Sequence, residues 1–486
     1  MGREEPGGAA TKVEPMTRFR AFLILLGLLA LAVPAAATSA DRMLVGFQDD
    51  PSFRWLDTRD TNITDASRVG ASIVRTSVYW NRIAPTRPTV ASDPFDPAYH
   101  FDDLDEFVRN AAFHGMTAML AIWGTPDWAN GGKGQNYAPT RLSDFQAFAR
   151  AVAARYSGLN PGYPYVGYYS VWNEPNLQQF LAPTYDSRGK PRSPAIYAGL
   201  ARAGYAGIKA GNRRALVAVG ETSPRGRLKP TTQKGVQQTL APALFAQSLA
   251  QARPIVKFDA WAHHPYSDIG ATPTQKVRYP NVNLTQLPQF EKDLNKWFKR
   301  RTSPIWVTEY GFQTKPGQPR GVSLAQQAAY VKQSLAIVRG YTPVQMFIWF
   351  IFRDQPVSLW HSGLLNENAS RKPSYKAFVA AARPFDVRNP VVVIKAGTSN
   401  PVVHVPVWEL LSRDGPGATV GSTISVVYRG KTLAVVQPAT RIGIGGYVNF
   451  RLPITKAKAH GLYKAFLTIG DANGNSVTRT ATVVVR

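Results

Sequence analysis

Two glutamates stand at the ends of short apolar runs: Glu174 in Val171-Trp172-Asn173-Glu174-Pro175-Asn176 and Glu309 in Trp306-Val307-Thr308-Glu309-Tyr310-Gly311. A glutamate at a buried strand tip carries a desolvation cost unless it is paired or takes part in chemistry. Two of them facing each other provide what acetal cleavage needs, one acid on the leaving oxygen and one carboxylate at the acetal carbon. The competing reading is a pair of buried glutamates satisfied by arginine. Metal chemistry has less support. His263 and His264 are adjacent in what reads as a strand, where neighbours point to opposite faces, so they do not share one ion. No histidines recur at helical i, i+4 spacing, and no Asp-rich calcium loop is present. The chain has no cysteine, which removes disulfides, thiolate ligands, iron–sulfur clusters and cysteine nucleophiles. We therefore expect no metal and no cofactor.

Positioning two glutamates across a mouth requires a scaffold of buried strands. The candidates are Met43–Gln48, Ser72–Tyr79, Thr117–Trp123, Val166–Trp172, Leu216–Gly220, Phe258–His263, Ile305–Thr308 and Val344–Phe350. Each is a short β-branched or aromatic run, as expected of a strand buried on both faces. Helical spacing fills the gaps, as in Leu104, Phe107, Val108 and Ala111, or Phe145, Phe148, Ala149 and Val152. Eight βα units without a surplus strand predict a (β/α)8 TIM barrel, spanning residues 41–383, with its site at the C-terminal strand ends. A doubly wound open sheet is the alternative, but no Gly-rich phosphate loop follows the first strand. A Pro-punctuated linker at 384–390 then changes the texture. Seven short strands in 391–486, with turns at Arg429-Gly430-Lys431 and Asn473-Gly474-Asn475 and no helical window, predict an immunoglobulin-like β-sandwich.

The motifs also carry a resemblance. Trp172-Asn173-Glu174-Pro175-Asn176 and Thr308-Glu309-Tyr310-Gly311 resemble the acid/base and nucleophile motifs of clan A retaining glycoside hydrolases, with families 39 and 5 nearest in texture. The resemblance implies that Glu174 is the general acid/base and Glu309 the nucleophile. Val74-Arg75-Thr76-Ser77-Val78-Tyr79-Trp80 resembles the second-strand pattern whose arginine supports the nucleophile, and His264-Pro265-Tyr266 resembles the sixth-strand His-x-Tyr. Trp349 matches the eighth-strand tryptophan that lies under the sugar. Arg75 keeps its charge and suits a nucleophile's partner, although an ordinary buried ion pair fits it too. Asn173 can bond the hydroxyl beside the anomeric carbon, or simply shape a loop. Tyr266 can donate to Glu309, and His264 to substrate or to Glu174; a packed, satisfied histidine is the alternative.

Trp80, Trp123, Trp128, Trp349 and Trp360 fall at or just past strand ends, where flat rings stack on sugars. For Trp123 and Trp128 the platform and core readings are evenly balanced. Trp261 and Trp306, each three residues before a site residue, are expected to face the helices. Glu221, after the fifth strand, is a rival for the acid role and is expected to serve a subsite.

The chain has 57 Lys+Arg against 31 Asp+Glu in 486 residues, a formal charge of +26. Such an excess suits an anionic partner, whether an acidic polysaccharide or an anionic cell-envelope polymer; a solvated Arg-rich surface is the plainer reading. Nucleic acid is not expected, since no recognition motif accompanies the charge. Arg18 and Arg20 precede an apolar run from Ala21 to Val33 and small residues at 35–40, the pattern of a secretory signal over 1–40, with Met16 as an alternative start. An uncleaved N-terminal anchor is the alternative; once cleaved, no membrane span remains. The expectation is a secreted retaining hydrolase acting on β-glycosidic bonds of an oligo- or polysaccharide. Its rivals are a transglycosylase on the same site and a non-catalytic glycan- or envelope-binding protein.

Overall fold

The computed structural model describes residues 43–355, 360–443 and 445–486. Residues 1–40, where a secretory signal is expected, lie outside them. Eight parallel strands close into a barrel in sequence order: β1 (Leu44–Gln48), β2 (Ile73–Tyr79), β3 (Thr117–Trp123), β4 (Tyr168–Val171), β5 (Leu216–Thr222), β6 (Ala260–His263), β7 (Ile305–Tyr310) and β8 (Val344–Phe350). Closure joins β8 to β1, with Gln48 opposite Phe350. One main helix follows each strand: α1 (Arg59–Arg68), α2 (Asp102–Phe113), α3 (Leu142–Arg155), α4 (Ser193–Gly211), α5 (Pro242–Ala250), α6 (Leu287–Phe298), α7 (Leu324–Arg339) and α8 (Pro373–Ala382). Local chemistry marks the start of two of these helices. Ser323 and Gln326 form a reciprocal capping box at α7, and Asp102, Asp103 and Asp105 occupy the first turn of α2, the positive end of its dipole.

Alternation along the strands sorts their side chains into two cores. Leu44, Ile73, Met119, Ala218, Ala262, Trp306, Met346 and Ile348 fill the barrel interior. Val45, Val74, Leu120, Val219, Trp261, Phe347 and Trp349 pack outward against the helices. Trp261 therefore faces the helices as expected, against Phe290 and Phe298. Trp306 does not. It points into the barrel beside Tyr168, because the register of β7 shifts between Val307 and Tyr310 and breaks the parity count back from Glu309.

Beyond the barrel, β12 (Lys431–Val436), β11 (Thr419–Tyr428), β15 (Leu462–Gly470), β16 (Ser476–Val485) and β9 (Val391–Ile394) form one sheet, with β13 (Ala439–Arg441) paired to β11. A second sheet pairs β10 (Val402–Pro406) with β14 (Tyr447–Arg451). Val403, Val405, Ile424, Val426, Phe450, Leu467 and Val483 are buried in the core of this β-sandwich. One feature departs from expectation: α9 (Trp408–Asp414) interrupts the strands, too short to show a helical period in sequence. The sandwich packs against the αβ turns of the barrel. Arg388 Nη1 donates to Ser67 Oγ at 2.7 Å, and the Arg413 guanidinium lies 5.1 Å from the Phe113 ring centre. These turns lie at the N-terminal ends of the strands, opposite the face that carries loops after the strands. Among the described residues, no helix is long and apolar enough to cross a membrane.

Candidate active site

Arg75 points into the barrel from β2 and is fully buried. It touches four strand ends at once. Nη1 donates to Glu309 Oε1 at 2.8 Å and to Gln48 Oε1; Nη2 donates to Asn173 Oδ1 at 3.2 Å and Glu221 Oε2 at 3.3 Å. Burial works against its charge, but Glu221 and Glu309 outweigh burial and raise its pKa further. By holding Asn173 Oδ1, Arg75 leaves the amide nitrogen of Asn173 as the group free to donate.

His264 is the second buried cation. Its Nδ1 donates to Glu174 Oε1 at 2.9 Å and its Nε2 to Glu221 Oε2 at 2.7 Å. Burial opposes protonation, yet Glu309, Glu174 and Glu221 carry its pKa up to about 10, so the ring is an imidazolium at neutral pH. The neighbouring His263 points the other way, to Thr222 and the Val282 carbonyl, and burial lowers its pKa to about 3. Glu174, His264 and Glu309 present atoms within 4.8 Å of one another. Both ring nitrogens of His264 are engaged by carboxylates, so the cluster reads as an ion-paired network.

The three glutamates differ sharply. Glu174 has a left-handed φ of 36°, and burial raises its carboxyl pKa in spite of His264. Glu309 is mostly buried and also accepts from the Tyr266 hydroxyl at 3.1 Å. Glu221 is fully buried and lies beneath the other two. Burial would raise its pKa, but Arg75 and then His264 hold it down to about 2, and Thr308 Oγ1 adds a bond at 2.7 Å. This corrects the expected subsite role: with no exposed surface, Glu221 cannot touch substrate. A bulge between Gly220 and Thr222 turns it inward. Gly220 allows the bulge, at φ 100° and with a Cβ there lying 2.5 Å from the Trp261 ring.

Glu174 and Glu309 open into a cleft of about 460 Å³, whose walls include Phe180, Tyr266, Phe350 and Trp360. Trp360 stands edge-on to Tyr266 at 5.7 Å and to Phe350 at 5.4 Å, and its Nε1 donates to Ser362 Oγ at 2.8 Å. Trp349 is not in the cleft. It faces outward, fully buried, with Nε1 donating to the Ser362 carbonyl at 2.8 Å. A strand reverses faces at each residue, so Phe350 and not Trp349 faces the cleft. Trp123 and Trp128 resolve to packing. Trp123 lies behind Phe180, with ring centres 5.5 Å apart, and Trp128 packs on Trp80 and donates to the Ala84 carbonyl. Sequence reasoning passed over Gln48, whose only signal was position at the C-terminal end of the first strand, and gave no role to Thr308 within its motif.

Comparison with known proteins agrees with this geometry. Residues 40–349, more than half of the chain, match the family model described as Cellulase (glycosyl hydrolase family 5). No curated protein matches the chain. Among solved structures, a family 39 glycoside hydrolase from the gut symbiont Bacteroides cellulosilyticus WH2 is 17% identical over 86% of this chain and 81% of its own, with a TM-score of 0.51. A GH5_18 protein from Streptomyces cattleya, in complex with Manβ1-4GlcNAc, is 16% identical over 76% of this chain and 87% of its own, with a TM-score of 0.53. At these identities the two structures share the fold. With its closed barrel and its family match, the chain belongs to glycosyl hydrolase family 5, in clan A, and is a glycoside hydrolase acting on O-glycosyl bonds.

Proposed function

We propose that this enzyme is an exported, retaining β-glycosidase that cleaves an oligo- or polysaccharide by double displacement. The observation that carries the mechanism is spacing: oxygens of Glu174 and Glu309 lie within 4.8 Å. That separation suits direct attack on a glycosyl carbon, whereas single displacement needs about 6.5–9.5 Å to admit a water. Glu174, its pKa raised by burial, protonates the glycosidic oxygen as the C1–O bond breaks. Glu309 Oε closes on C1 from the other side, with Arg75 at 2.8 Å as its permanent counter-charge and Tyr266 fixing its second oxygen. Water then attacks C1, Glu174 takes the proton, and the ester to Glu309 breaks. Asn173 donates to the adjacent sugar hydroxyl. Export rests on the signal pattern in 1–40, so the mature protein recovered outside the cell should begin near residue 41.

Azide separates the two roles. With an activated aryl β-glycoside, Glu174→Ala should accumulate glycosyl-enzyme, and azide, which needs no base, should restore turnover and give the β-azide. In Glu309→Ala azide enters from the opposite face and gives the α-azide. Inverted configuration in the wild-type product would refute double displacement; swapped azide products would reverse the two assignments.

A further inference from the structure

A second cavity, of about 320 Å³, lies outside the cleft. Its walls include Arg54, Trp55, Tyr79, Arg82, His100 and Asp103. These residues belong to the end of β2 and to the segments that follow β1 and β2, so the cavity opens on the same face as the cleft. The two are linked by aromatic contacts. Phe180, a cleft wall, meets Trp123 at 5.5 Å, and Trp123 meets Tyr79 at 5.1 Å.

The charges in this cavity are unevenly committed. Arg54 is buried and engaged, at 2.6 Å from Asp103 Oδ2 and 2.8 Å from both Thr76 Oγ1 and the Ser77 carbonyl. Asp103 also accepts the Trp55 indole N–H at 3.2 Å, so it is occupied in holding both neighbours. Asp102 lies in the first turn of α2, where the helix dipole stabilises it. Arg82 is exposed, and among the described residues no carboxylate pairs with it. Its guanidinium lies over two rings, 4.5 Å from the centre of Tyr79 and 5.4 Å from that of Trp55. Among the described residues none of its N–H groups donates to a partner, so a guanidinium held over these rings keeps its donors for a carboxylate. The cleft walls have nothing equivalent, since no Lys, Arg or His lines them.

We propose that this cavity is a subsite for an acidic sugar unit of the glycan, whose carboxylate binds the fork of Arg82. The proposal rests on the glycosidase reading above and deepens it to an anionic, uronate-bearing substrate. A matched pair of probes isolates the carboxylate: a β-1,4-linked cello-oligosaccharide hexamer and its C6-oxidised, uronate counterpart. Binding to full-length Glu309→Gln, measured by calorimetry, should favour the oxidised hexamer about tenfold, the scale of one charged hydrogen-bonded contact. Arg82→Gln in the same background should abolish that preference and its salt dependence, while Arg82→Lys should keep part of it. On otherwise wild-type protein, Arg82→Gln should leave turnover of a small aryl β-glycoside unchanged. Equal binding of the two hexamers, no binding of either, or a preference that survives Arg82→Gln would overturn the subsite. Absence of aryl glycoside turnover in the wild type would instead count against the glycosidase reading, and the calorimetry would still judge Arg82.

Discussion

Five ionisable side chains meet below the cleft, and in the proposed mechanism their charges cancel throughout. Before attack, Arg75 and His264 balance Glu221 and Glu309, with Glu174 protonated. After attack Glu309 is a neutral ester and Glu174 an anion, so the balance persists. Glu221 is the member that makes this work without touching substrate. Glu221→Gln should leave one net buried positive charge and cost about 3 kcal/mol of stability, read from chemical denaturation at pH 7. The pH dependence follows from the two shifted groups. Glu221, held at about 2 against a usual 4.5, contributes stability that is present above pH 4.5 and lost as pH falls towards 2. His264, raised from 6.5 to about 10, contributes stability that is full below pH 6.5 and lost as pH rises towards 10. In Glu221→Gln the alkaline loss should begin at lower pH, and the imidazole resonances of His264 should titrate earlier. Wild-type-like titration of His264 in that variant would show that Glu221 does not hold the proton there. The role of Glu221 was illegible in sequence because a strand-end glutamate looks the same whether a bulge turns it to the rim or into the barrel.

At the scale of elements, the strands and their order were readable because each is a short apolar run bounded by helical spacing, and β3 and β8 match their expected limits. What failed was parity near irregularities. Trp306 was misplaced by the shift in β7, and Trp349 by a one-residue error in which side of β8 meets the cleft. Long βα segments are equally opaque, because their positions depend on contacts between loops distant in sequence. Asn176 is the clearest case. It reads as the last residue of a catalytic motif, yet it is fully buried and staples the segments after β4 and β5. Its Oδ1 accepts from Ser223 N at 2.9 Å, and its Nδ2 donates to the carbonyls of Leu240 at 2.9 Å and Ser223 at 3.3 Å. Asn176→Ala would leave these backbone groups buried and unpaired, and should destabilise the fold by about 2–3 kcal/mol. Because the staple sits two residues from Glu174, kcat should fall while a competitive inhibitor still binds. Unchanged kcat in a destabilised Asn176→Ala would mean that Glu174 is positioned by its own backbone and not by the staple.

At the scale of the molecule, the change of texture after residue 384 was legible because alternating strands replace helical spacing, whereas the way the sandwich meets the barrel was not. Residues 386–486 carry 12 Lys+Arg against 4 Asp+Glu, so this module supplies +8 of the total charge. If that charge retains the enzyme on an anionic polymer, retention should fall steeply as salt rises, and salt-independent retention would favour aromatic stacking instead. Chemistry and retention should then separate on truncation. The module touches the αβ turns, through Arg388 on Ser67, Arg413 over Phe113 and Glu409 beside Gly115, while both glutamates open at the opposite ends of the strands. Val387, however, packs against the interior cluster of the barrel, so the joint closes the lower end of the core. A chain ending at Arg383 should therefore lose stability, by about 1–2 °C in Tm for each 1 kcal/mol of packing removed, yet keep kcat on a small aryl glycoside. Extending the chain to Asn389 restores Val387 and Arg388 and should recover part of that Tm. A truncated protein that is folded by circular dichroism but inactive would place the sandwich in the catalytic machinery, against everything its position on the lower face implies.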